Sequence, residues 1–185
     1  MKYITSLLGI FFFLGNSYAQ NIGNISEAEM NQISSEVDRE LAFYKTQLDQ
    51  EIYYSDLEKE MRIEFQSDTF AIERTLFKML GTDYSTTGMT NAVYYAEAAY
   101  DKLLNKYYKL LKSKLNEEDK KRLTDSQRNW ILFRDSERIL SNEISKEEYS
   151  GGGTIQQIII SDKQLEITKQ RVIELFGYLD RVILF

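Results

Sequence analysis

Residues 89–111, M-T-N-A-V-Y-Y-A-E-A-A-Y-D-K-L-L-N-K-Y-Y-K-L-L, decide the fold class. Met89, Val93, Ala96, Tyr100, Leu103, Tyr107 and Leu110 recur at alternating steps of four and three, so they share one face of an α-helix. Leu104 and Leu111 widen the stripe. Upstream, Gly81 to Thr87 (G-T-D-Y-S-T-T) predicts a turn, with a glycine stop followed by hydroxyl-bearing N-cap residues. Before the turn, Leu57, Met61, Phe65, Ile72, Leu76, Met79 and Leu80 predict another helix, which Ser67-Asp68 is expected to restart or kink. The first helix opens on Ser26-Glu27-Ala28-Glu29, a capping box, and its stripe runs Ile33, Val37, Leu41, Tyr44, Leu48, Ile52.

Downstream, Asn116 caps a fourth helix, and Glu117, Glu118 and Asp119 set negative charge against its positive end. So short a connection predicts an antiparallel hairpin between the third and fourth helices. Gly151-Gly152-Gly153 is expected to end the fourth helix, and Thr154-Ile155-Gln156-Gln157, a second capping box, to open the last one through Leu165, Val172, Leu175 and Phe176. Ile158 to Asp162 has strand-like composition, but the helical spacing around it outweighs this. The expected fold is all-α: an elongated antiparallel bundle of about five helices, without a linker that would divide it into two domains.

Composition agrees. The chain has 185 residues with no proline, cysteine or histidine. The lack of proline favours long uninterrupted helices. The residue types present exclude disulfides, thiolate nucleophiles, imidazole bases and a Cys/His zinc site, and they imply no cofactor. With 23 Lys+Arg against 29 Asp+Glu, the net charge of −6 disfavours nucleic acid or an anionic membrane surface as partner. A cationic partner is better matched.

Residues 1–19, M-K-Y-I-T-S-L-L-G-I-F-F-F-L-G-N-S-Y-A, have the anatomy of a cleaved signal peptide. Lys2 precedes an apolar run from Ile4 to Leu14, which is too short for a bilayer span of about 20 residues. Gly15 and Asn16 break the run, and Ser17 and Ala19 occupy the small-residue cleavage positions. The expectation is an exported protein beginning at Gln20, without a stable membrane anchor because no cysteine is present to carry lipid.

Polar residues interrupt the apolar stripes in two places. Gln127, Trp130 and Arg134 share one face of the fourth helix, with Arg128 and Asp135 on a neighbouring stripe; Asp101, Asn105 and Tyr108 form a comparable row on the third. If the two helices face one another, Arg–Asp forks and an amide network would join them beside Trp130. A half-buried network that sets helix register accounts for these residues more simply than a binding pocket. Carboxylate pairs arise by chance among so many acidic residues, and the glycine run lacks the strand and Lys-Ser/Thr of a phosphate loop.

Four blocks carry a family resemblance: Y-D-K-L-L-N-K-Y-Y (100–108), S-Q-R-N-W-I-L-F-R-D-S-E (126–137), G-G-T-I (152–155) and L-E-I-T-K-Q-R-V-I-E-L (165–175). In order and spacing they resemble the LprI-like family, small exported bacterial proteins named after a lysozyme-inhibitor lipoprotein. The family pattern falls on Asp101, Leu104, Asn105 and Tyr108; on Gln127, Arg128, Trp130, Phe133, Arg134 and Asp135; on Gly152, Gly153 and Thr154; and on Thr168 and Arg171. The resemblance implies a non-enzymatic helical binding module over about residues 67–180, preceded by a helical extension over 20–66 and followed by an apolar tail over 181–185. It implies a lysozyme or another envelope protein as partner. Family members usually carry cysteines where this chain has Ala92, Arg138 and about Lys163. An inhibitor that plugs a cleft would use a protruding loop, which here means Gly81 to Thr87 or Tyr149 to Thr154.

Overall fold

The computed structural model describes residues 25–184; the expected signal peptide lies outside them. Six helices follow in order: α1 (Glu27–Leu48), α2 (Asp56–Thr82), α3 (Thr86–Lys114), α4 (Glu117–Ile144), the single turn α5 (Glu147–Ser150) and α6 (Ile155–Leu184). The starts of the first four follow the capping chemistry, whereas α5 has no side-chain cap and the box expected from Thr154 and Gln157 does not form at α6, where the Gln157 amide bonds the Thr154 carbonyl instead. The Ser26 hydroxyl and Glu29 form the reciprocal capping box on α1, the hydroxyls of Ser55 and Ser85 accept from Glu58 and Gly88, and Asn116 accepts from the Asp119 amide.

Cross-helix pairs set the topology. Glu36–Lys78 and Glu40–Arg74 run in opposite senses along α1 and α2, so these helices are antiparallel. Asp68–Lys106 and Glu73–Tyr100 show the same for α2 and α3. Tyr108–Thr124 and Glu97–Arg138 do so for α3 and α4, and Gln127–Arg171 and Glu137–Lys163 for α4 and α6. Lys169 over the Tyr100 ring and Phe176 against Tyr107 advance together, so α3 and α6 are parallel. The five long helices therefore alternate up and down. The N-termini of α1, α3 and α6 and the C-termini of α2 and α4 meet at one end.

The central pair is α3 with α6, and α2 and α4 flank it. This differs from a bundle seam made by the α3–α4 hairpin, and the apolar content of the helices explains it. α6 buries Leu165, Val172, Leu175 and Leu179, whereas α4 buries only Leu123 and Gln127. Burial of apolar area drives packing, so the more apolar helix takes the middle. The main cluster is tied together by three rings: Phe65 stacks on Phe176 at 3.8 Å, and Tyr107 stands edge-on to both at 5.3 and 5.5 Å. A second cluster of Ile25, Ile33, Val37, Met79 and Ala92 seats α1 against the shared end.

Several boundaries differ from expectation. α1 stops at Leu48, not Ile52, which is wholly exposed; the chain turns early because Ser55 caps α2 and the Tyr53 hydroxyl bonds the Leu48 carbonyl. α2 runs unbroken through Ser67-Asp68, where the aspartate reaches across to Lys106, and carries on past Gly81. The extension expected over 20–66 thus shares α2 with the residues that follow it. α4 ends at Ile144, ahead of the glycine run, and α5 intervenes. Gly151, Gly152 and Gly153 all have φ between 69° and 85°, a left-handed run that side-chain-bearing residues rarely adopt. The expected apolar tail is largely the last turn of α6, with Ile183 packed on the main cluster. Ala92 is fully buried, Arg138 pairs with Glu97, and Lys163 pairs with Glu137 at 2.7 Å; these two ion pairs tie α4 to α3 and to α6.

Candidate functional site

α4 meets α3 through single pairs such as Arg138–Glu97, and the motif residues separate into distinct surroundings. Arg171 of α6 is buried and its Nε donates to the Gln127 amide oxygen at 3.0 Å. Its two terminal nitrogens donate to the Ser126 hydroxyl and the Glu174 carboxylate, each at 3.1 Å. Thr168, one turn earlier on α6, is also fully buried. This is the one place where the structure joins motif residues from two helices, and it joins α4 to α6.

Of the other motif residues, most pair within their own helix. Asn105 donates to the carbonyl and carboxylate of Asp101 on the exposed side of α3. The Tyr108 hydroxyl meets the Thr124 hydroxyl at 3.3 Å and so reaches α4 from α3. Arg128 is exposed and pairs with Asp125 within its own helix. Arg134 lies over the Trp130 ring at 5.2 Å and pairs with its neighbour Asp135 at 2.9 Å, so no fork crosses to Asp101. Gly152, Gly153 and Thr154 form the turn into α6, where the Ser150 hydroxyl accepts from the Gly152 amide.

The weight carried by the two arginines follows from these contacts. Asp135 is half exposed, so the pair with Arg134 is screened by solvent. Arg134→Ala is expected to lower stability by about 1 kcal/mol, mainly through the lost stacking on Trp130. Urea denaturation checks this, and a loss above about 3 kcal/mol would require a buried partner for Arg134.

A second polar junction was not foreseen from the sequence. Glu73 of α2 accepts from the Tyr100 hydroxyl at 2.6 Å and from Lys169 at 2.7 Å, uniting α2, α3 and α6. Burial alone would raise the Glu73 carboxyl, but the bonds from Lys169 and Tyr100 outweigh it and hold the group below its ordinary value. Burial, and then the bond to Glu73, push the Tyr100 hydroxyl well above its ordinary value. The junction is a fixed ion pair with a neutral phenol, which suits it to holding helices together. Nothing in the spacing of Glu73 and Lys169 could have paired them. Ser126 and Glu174 are different: one adjoins Gln127, and the other lies one turn beyond Arg171.

The end where five helix termini meet carries both protruding connections. Tyr84, in the α2–α3 connection, and Tyr149, on α5, are among the most exposed aromatic residues, at 76% and 68%. Glu147 and Glu148 are exposed beside Tyr149, and the glycine run follows. Gly88 is required here, because a Cβ on it would lie 2.1 Å from the Asp83 side chain that packs over the start of α3. A half-open cleft of about 440 Å³ lies at the same end, lined by α3, α4 and α6. No helix among the described residues is long and apolar enough to cross a membrane.

A family model described as lysozyme inhibitor LprI matches residues 80–175, from the end of α2 through most of α6. No curated protein and no solved structure matches the chain.

Proposed function

The chain belongs to the LprI family, and from that premise we propose that it is an exported, non-enzymatic binding protein that inhibits a lysozyme by seating the shared helix end in the enzyme's cleft. The observation that supports this most is the convergence of Tyr84 and Tyr149 on one end, each on a connection that leaves its ring free. Exposed tyrosines on short connections supply large contact area at little conformational cost, and interface hot spots are enriched in them. Lysozymes cleave with carboxylates at the floor of a cleft, and many are cationic outside it. An acidic body with Glu147 and Glu148 beside the tip suits such a partner and would speed its encounter.

Lysis of bacterial cell walls by c-type and g-type lysozymes, titrated with the purified protein, tests the reading. The expected result is stoichiometric inhibition of one of them, with an association rate that falls as salt rises. Tyr149→Ala should weaken it by about thirtyfold, the effect of losing about 2 kcal/mol at a hot spot. Full lysis of both at high protein concentration would overturn it.

One feature favours a second reading, a cell-envelope interaction module that does not engage lysozyme. Leu132, Phe133, Ile139, Leu140 and Ile144 form an exposed apolar stripe along α4, and contiguous patches of this kind mark association surfaces. Binding to cell-wall fractions or self-association that is lost in Leu140→Asp, with lysozyme unaffected throughout, would put this reading first.

A further inference from the structure

The cleft at the shared end has an unusual lining. Asn91 on α3, Asn142 on α4, and Gln157 and Gln164 on α6 bring four carboxamides to one space, with the Tyr94 ring and Ile160 beside them. Thr87 and Thr90 complete the α3 wall, and no lining residue is charged. The spacing explains the convergence. Asn91 and Tyr94 are one turn apart on α3, Gln157, Ile160 and Gln164 recur every three or four residues along α6, and α4 ends its last turn opposite them. Among the described residues none of the four carboxamides makes a hydrogen bond to another protein group, and Asn142 and Gln157 are exposed, so their donors and acceptors face solvent and are open to a ligand. Elsewhere the same helices pair their polar side chains, as Arg171 with Gln127 and Lys163 with Glu137.

The geometry points to a binding site for a neutral, N-acetylated hexosamine glycan. Each carboxamide offers two donors and one acceptor oxygen, which matches vicinal hydroxyls and, in particular, the N–H and C=O of an acetamido group. Tyr94 is 46% exposed, so a face of its ring is open to the apolar side of a pyranose. Ile160 offers apolar contact for the acetamido methyl. An uncharged lining gives a phosphate or carboxylate ligand nothing to pair with, which disfavours nucleotides and acidic peptides. The volume is that of an ordinary small-ligand site and would hold one or two sugar rings with the remainder of the chain in solvent. The proposal does not depend on lysozyme inhibition: it concerns the cleft wall, whereas inhibition was assigned to Tyr84 and Tyr149.

The test is a titration of the full, isotopically labelled protein with chitotriose, followed through the side-chain amide resonances of Asn91, Asn142, Gln157 and Gln164. Maltotriose, which lacks acetamido groups, and a stem peptide of peptidoglycan, which lacks sugar, are titrated in parallel. Saturable shifts confined to the four amides and Tyr94, seen with chitotriose and at least tenfold weaker with maltotriose, are expected. Asn142→Ala and Gln157→Ala, at exposed positions near their helix ends, should each weaken binding by about tenfold, equivalent to about 1.4 kcal/mol, with the melting temperature unchanged. Equal response to maltotriose, response to the peptide alone, or no saturable shift at about 10 mM chitotriose would each overturn the assignment. Because no lysozyme is present, these outcomes are independent of whether the protein inhibits one.

Discussion

Tyr107→Ala is expected to destabilise the protein by about 3–5 kcal/mol, the range for removing a large buried ring from a core. Tyr107 is fully buried at the centre of α3, edge-on to Phe65 of α2 and to Phe176 of α6. Phe65 and Phe176 are themselves stacked, so the three rings bind three helices in one contact set. Removing the middle ring leaves a cavity that helices braced against one another cannot close by a local shift, which places the loss toward the upper part of that range. Domains are stable by only about 5–15 kcal/mol, so this one change should remove a large share of the total. Urea titration should show a lower midpoint at unchanged slope. A loss below about 1 kcal/mol would mean that the ring set does not organise the core.

The second large effect is expected at Arg171. Its guanidinium is buried with Gln127, Ser126 and Glu174 around it, and Gln127 is buried as well. Arg171→Ala removes hydrogen bonds made by a charged group and leaves the Gln127 oxygen without its donor, for a combined loss of about 2–4 kcal/mol. Arg171→Lys should recover little of it, because an ammonium cannot present the planar fork that reaches three acceptors at once. The double variant Arg171→Ala with Gln127→Ala separates the terms. If the two residues act as a unit, the pair should cost clearly less than the sum of the single changes. Additive losses would mean that they contribute independently. The contrast with Arg134, whose partner is half exposed, is a matter of solvent access and not of residue type.

Helix content was legible because the evidence for it is local. The 89–111 stripe, the Ser26 box and the Asn116 cap each depend on residues within one or two turns, and each is present as read. The misread boundaries have local causes of another kind. Ile52 continues a periodic pattern, but a serine three residues later starts the next helix, and a cap outweighs one further apolar residue at the end of a stripe. Ser67-Asp68 has the composition of a break, but Ser67 is small enough to be buried inside the bundle and Asp68 pairs with Lys106 of α3, so the helix continues. The motif residues were legible as a set, while their partners were not. Arg128, Arg134 and Asp135 pair along α4, whereas Gln127 hydrogen-bonds Arg171 of α6 and Tyr108 of α3 reaches Thr124 of α4.

By itself, then, the sequence determined that this chain forms long amphipathic helices, where most of them start, and which residues interrupt their apolar faces, since hydrophobic period and capping act over a few residues. Only the tertiary structure decided that α6 and not α4 is the main partner of α3, that Glu73 meets Lys169, and that four carboxamides from three helices line one cleft. Those outcomes depend on which apolar faces bury the most area together, and that competition among whole helices is settled by packing, not by spacing within any one of them.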